Sequence, residues 1–177
     1  MPSGKTHDAI TLLLAVPVFG IAWLGFLQLA SALIISICFL FGGLMFGPDL
    51  DTKSVQYSRW TIFKHIWFPY KVFFKHRSRW SHGLIFGTLI RVVYFLGVLT
   101  LISFLAAFLF TVYTNNEIPK FLGFIESWNR IGDFVRQYAG TNVFYIVFAG
   151  LWLGAASHTF TDMAVTYIKT GKVKNFL

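Results

Sequence analysis

Four apolar runs, residues 9–26, 30–46, 84–113 and 143–163, take up nearly half of the 177-residue sequence and leave it few ways to fold. A hydrocarbon core about 30 Å thick is crossed by roughly 20 apolar residues in a helix, and each run approaches or exceeds that length. Composition agrees: 56% of residues are apolar and only 12% charged, against about 25% charged in soluble domains. A soluble chain of this size has too much surface per unit volume to hide so much apolar area, whereas lipid hides it without cost. The expected fold class is therefore an all-α integral membrane protein, a single membrane domain over residues 1–177 with about four transmembrane helices.

The first two runs are separated only by a tight turn near Gln28, which predicts an antiparallel hairpin. Pro17 is expected to kink the first helix, which neighbouring helices can tolerate. The first run lacks a small-residue cleavage pattern and is read as retained. Between the second and third runs, residues 59–75 interleave Trp60, Phe63, Trp67, Phe68, Tyr70, Phe73 and Phe74 with lysines and His65. That mixture predicts a segment in the headgroup layer, with rings turned inward and lysines reaching out. Ile118, Phe121, Leu122, Ile125, Trp128 and Val135 recur at helical spacing and predict an amphipathic surface helix over about 118–136.

The net charge of +8 sits in the polar connections, as in loops that touch anionic headgroups, and not in a stripe for nucleic acid. Lys53, Arg59, Lys64, Lys71, Lys75, Arg77 and Arg79 outnumber the acids of the first long connection, and Lys5, Lys169, Lys172 and Lys174 flank the ends. Lys120, Arg130 and Arg136 are balanced by Glu117, Glu126 and Asp133. The positive-inside rule then predicts cytoplasmic termini and a cytoplasmic first long connection. The expected partners are membrane lipid and either a membrane protein or a second copy of the chain, with no nucleic acid.

This topology gathers four polar clusters at one face: Thr6-His7-Asp8 before the first helix, Gly47-Pro48-Asp49-Leu50-Asp51 after the second, His76-Arg77-Ser78 with Ser81-His82-Gly83 before the third, and His158 with Asp162 at the end of the fourth. His158 and Asp162, four apart, share a helix face. Asp49 and Asp51 would point the same way from an extended segment after Pro48. His76 and His82 are six apart and need a turn between them, or a helix start capped by Ser81. Imidazole and carboxylate donors without sulfur suit zinc, manganese or iron. The candidate ligands, His7, Asp49, His76, His82, His158 and Asp162, outnumber those of one tetrahedral ion, so one or two divalent ions are expected.

Plainer readings stand beside these. His7 and Asp8 would also suit a solvated helix start, Asp49 and Asp51 a polar turn, and His76 and Arg77 a basic rim. His65 lies outside the clusters and reads as an interfacial histidine. Arg91, inside the third run, reads as a snorkelling side chain in preference to a phosphate contact. Cys38, the single cysteine, excludes an internal disulfide and a thiolate cluster.

The segments MPSGKTHD (residues 1–8), FGGLMFGPDLD (41–51) and HRSRWSHG (76–83), with His158 and Asp162, resemble a family of bacterial metal-binding integral membrane proteins of unassigned function. More distantly the pattern is similar to membrane-bound metal-dependent hydrolases, although their middle histidines are usually closer than the six-residue gap here. The resemblance implies an inner-membrane protein, of the plasma or an internal membrane, with its metal motifs on the cytoplasmic side. The residues themselves suit a metal-dependent hydrolase at the cytoplasmic membrane surface, with a metal that activates water, Asp8 or Asp51 as general base or orienting group and Arg77 stabilising developing negative charge. A phospholipid or other phosphoester is the expected substrate. The alternative is a non-catalytic metal-binding structural or accessory subunit of a membrane complex, which the small-residue stretch Gly150–Ser157 would help to pack.

Overall fold

The computed structural model describes residues 3–74, 78–115 and 120–171, and among these there is helix and turn but no strand. The chain forms two compact units, one from residues 1–92 and 144–177, the other from residues 93–143.

The first unit opens with α1, Gly4–Phe26. It begins five residues before the apolar run, because the Ser3 hydroxyl accepts the Thr6 amide and caps the helix. His7 and Asp8 therefore lie in its first turns and not ahead of it. Pro17 stands inside α1, which continues past it. The helix ends at Leu27, whose φ of 52° is a left-handed conformation costly to a leucine. Gln28 follows, and α2, Leu29–Leu44, returns antiparallel against α1. At 16 residues α2 is shorter than expected, and its length is about 24 Å at 1.5 Å per residue. Among the described residues, three helices are long and apolar enough to cross a membrane: α1, α6 (Phe86–Asn115) and α8 (Val143–Thr170). α2 falls below that length.

α8 shows how the first unit is assembled. Near its start, Ile146 packs with Ala22, Ala32 and Ile35 in a small apolar core. One and two turns on, Gly150 and Gly154 bring its backbone against α2. A Cβ on Gly154 would run into the Phe39 carbonyl and the Gly43 amide, so only glycine permits this approach. Beyond the glycines the same face turns polar, burying Ser157, His158, Thr161 and Asp162. The small-residue stretch thus serves packing within the unit.

After α2 come a 3-10 turn over Pro48–Asp51, a short helix α3 (Val55–Arg59), a 3-10 segment over Thr61–Trp67, and α4 (Phe68–Phe73). The expected interfacial segment splits in two here. Trp60, Trp67 and Tyr70 turn inward and, with Phe46, stack edge to face at centroid distances of 5.2–5.7 Å. Ile62, Phe63, Phe68, Val72 and Phe73 face outward. His65 is exposed, in keeping with its place outside the clusters.

The second unit holds most of α6 and the helix α7, Phe121–Ala139. α7 is amphipathic, as its spacing predicts, and ends at Gly140, whose φ of 93° suits glycine. Its aromatic residues meet α6 through Phe104, which packs edge to face on Phe121 and Phe124. No residue of α7 is buried, and residues 118 and 119, the start of the expected surface helix, lie outside the described residues.

Candidate metal centre

Four segments of the first unit deliver side chains to one point. α1 supplies His7, the 3-10 turn Asp49 and Asp51, the short helix α5 (Arg79–His82) supplies His82, and α8 supplies His158 and Asp162. Each is held by local structure. The Asp49 carbonyl accepts from the hydroxyls of Thr52 and Ser54, which fixes the turn. Ser78, and not Ser81, caps the start of α5, accepting the Ser81 amide on its hydroxyl at 3.2 Å.

The donor atoms form a connected chain. His7 Nε2 lies 3.3 Å from Asp162 Oδ1, and His158 Nε2 lies 3.7 Å from Asp162 Oδ2. His158 Nε2 is also 3.4 Å from Asp49 Oδ2, while His82 Nε2 is 3.4 Å from Asp49 Oδ1. On its other side, His82 Nδ1 stands 3.5 Å from the buried Asp51 carboxylate. Donor atoms of His7, His158 and Asp162 all lie within 4.8 Å of one another. The rings of His7 and His158 stack, centroids 3.7 Å apart and planes 7° from parallel.

These spacings fit a cation. They exceed the 2.7–2.9 Å typical of a charge-assisted hydrogen bond, yet two donors sharing a tetrahedral ion at about 2.1 Å stand about 3.4 Å apart. Asp162 is 2% exposed, and neither of its oxygens makes a hydrogen bond among the described residues. An ionised carboxylate so buried is costly unless positive charge compensates it. Asp49 has less need, because it remains about a quarter exposed. Burial pushes its carboxyl upward, but hydrogen bonding and charge from His158 and His82 outweigh that and hold it well below the ordinary carboxylate range. Burial pulls His82 the other way, and Asp49 and Asp51 together raise it above the ordinary histidine value.

A cavity of about 280 Å³ opens onto the cluster, lined among others by His7, Asp49, Lys53, Gln56 and His158. Asp8 also lines it, but its carboxylate is engaged by both guanidinium nitrogens of Arg59, one at 2.9 Å. Arg59 donates further to the Leu44 carbonyl at 2.7 Å, tying the end of α2 to α1, and Asp8 raises its pKa. That pairing places Asp8 in the cavity wall with its carboxylate held by Arg59. Among the expected site residues, His7, Asp49, Asp51, His82, His158 and Asp162 are brought together. His76 and Arg77 lie outside the described residues.

Two residues near the centre take places that their sequence positions do not reveal. Gln56 is buried, donates to the Gly43 carbonyl at 2.7 Å, and places the same amide nitrogen 3.3 Å from His158 Nδ1. It reaches there because Gly47 lacks a side chain; a Cβ on Gly47 would strike the Gln56 amide. Arg91 does not snorkel. It is 1% exposed and donates to the Ser81 carbonyl at 2.6 Å and to the Thr88 hydroxyl at 3.0 Å, bracing the turn that carries His82.

The profile of a protein family described as "uncharacterized metal-binding protein (DUF2227)" matches residues 2–172. An uncharacterized protein of Aquifex aeolicus (strain VF5) is 39% identical over 59 residues, which is 33% of this chain; the chain spans 41% of that relative's length. No solved structure matches.

Proposed function

The chain belongs to this family of metal-binding proteins, and from that premise we propose that it is a membrane-embedded, metal-dependent hydrolase acting at the cytoplasmic membrane surface. One observation carries the reading: three imidazole nitrogens and two carboxylates converge from four segments, and a cavity of about 280 Å³ reaches them. A purely structural site would be closed by its ligands, whereas a catalytic one keeps a position open to a substrate.

His7, Asp49, His82, His158 and Asp162 would hold the ion or ions, with zinc, manganese and iron all compatible with nitrogen and oxygen donors. Such an ion lowers the pKa of a water molecule toward neutrality and polarises a phosphoryl or carbonyl oxygen. The chain's own residues supply the rest. Asp51 sits behind His82 on the Nδ1 side and fixes its ring so that Nε2 faces Asp49. The Asp8–Arg59 pair shapes the cavity wall. Lys53, at the same cavity, favours an anionic substrate, and Arg77 is proposed to add charge to that side. A phosphoester, water-soluble or a phospholipid, fits these demands.

The membrane reading rests on α1, α6 and α8 as spans, and we assign α2 as a fourth. A short helix is accommodated by local thinning of the bilayer or by the residues that flank it. Both termini are then cytoplasmic, as the lysine and arginine distribution requires. The test is hydrolysis of soluble and lipid phosphoesters by protein in liposomes, after chelation and after return of zinc or manganese. Metal-restored hydrolysis that Asp49→Asn abolishes supports the reading. Retained metal with no hydrolysis of any phosphoester favours the structural or accessory subunit instead.

A further inference from the structure

We infer that the centre is built for two ions, held side by side and bridged by Asp162; this rests on the reading of the cluster as a metal site. The argument comes from the two stacked rings. A metal bound to imidazole lies close to the ring plane, along the lone pair of the ligating nitrogen, at about 2.0–2.1 Å. The His7 and His158 rings are within 7° of parallel, with centroids 3.7 Å apart. Their lone pairs therefore lie in two nearly parallel planes and do not meet at one point. An ion shared by both would have to sit roughly 60° out of each ring plane at a bond length of about 2.1 Å, where the lone pairs do not point. Two ions, each in the plane of its own ring, would stand apart by about the stacking distance, within the 3.5–4 Å separation of two-metal hydrolytic sites.

The carboxylates agree with this division. Asp162 does not offer one oxygen to both rings. Its Oδ1 lies toward His7 Nε2 and its Oδ2 toward His158 Nε2, which is how a carboxylate spans two neighbouring ions. Both oxygens are buried and make no hydrogen bond among the described residues. Asp49 repeats the arrangement one step further, with Oδ2 toward His158 and Oδ1 toward His82. The first position thus draws on His7 and Asp162. The second draws on His158, Asp162 and Asp49, with His82 beside the last. Stacking is itself informative: two imidazoles laid face to face fix the spacing of whatever each one binds. Asp162 reaches both because it lies one turn beyond His158 on α8.

The experiment uses the full chain in detergent, stripped with a chelator and titrated with manganese alone, read by bound stoichiometry and by electron paramagnetic resonance. The expected result is about two ions per chain with the spectrum of an exchange-coupled pair. His7→Ala should leave about one ion and a mononuclear spectrum. Asp162→Asn, which keeps side-chain size where a larger change would endanger folding, should abolish the coupling. About one ion per wild-type chain, mononuclear at saturation, would overturn the two-ion inference while leaving the metal site intact. No retained ion in folded wild-type protein would overturn the metal reading itself. A coupled pair that survives His7→Ala unchanged would overturn the assignment of the first position.

Discussion

The two units use the same apolar alphabet to opposite ends. In the first, α8 has half of its most hydrophobic stretch buried within the protein, and there it encloses His158, Asp162 and the polar residues around them. In the second, none of the corresponding stretch of α6 is buried, and neither is any residue of α7. The first unit has its own interior; the second has contact pairs such as Phe104 with Phe124. Buried ionisable groups inside a membrane protein face partners or cavities and mark function. The difference places the candidate metal centre wholly within the first unit.

That division can be broken by mutation. The largest effect is expected from His158→Ala, which removes a proposed ligand: metal affinity should fall by more than the roughly 10–100-fold lost when an outer-shell partner goes. Metal content of the purified, folded variant measures it. Gly154→Leu should come next. It forces a side chain into the Phe39 carbonyl and the Gly43 amide, costing at least about 1–3 kcal/mol, seen as a lower unfolding temperature in detergent together with lost metal. Gln56→Ala should weaken metal binding about 10–100-fold with little change in folding, because it removes the group that orients His158. Phe124→Ala, in the second unit, should leave metal affinity unchanged within error. If Phe124→Ala lowered metal affinity as much as Gln56→Ala, the contrast between the units would fail.

Much of this was legible from sequence, for definable reasons. Hydropathy alone marks α1, α6 and α8, because a run of some twenty apolar residues has few other uses. The gathering of Asp49, His82, His158 and Asp162 follows from placing helix ends at one face. Local capping shifted the boundaries: Ser3 drew α1 back over His7, and Ser78 in place of Ser81 started α5. What stayed hidden depends on tertiary approach. Gln56 reads as an ordinary polar residue until Gly47 lets it through to His158. Arg91 reads as a snorkelling arginine until the Ser81 carbonyl claims it. The commitment of Asp8 to Arg59, 51 residues away, is likewise set by packing and by no local pattern.

The central claim is that buried imidazoles and carboxylates of the first unit bind metal, and X-ray absorption at the zinc edge tests it most directly. Detergent-purified protein reconstituted with zinc should show a first shell of nitrogen and oxygen only, at about 2.0–2.1 Å, with the outer-shell scattering of imidazole. The imidazole contribution should fall in His158→Ala. A sulfur shell near 2.3 Å, which only Cys38 and the three methionines could supply, or a spectrum without imidazole scattering, would contradict the account.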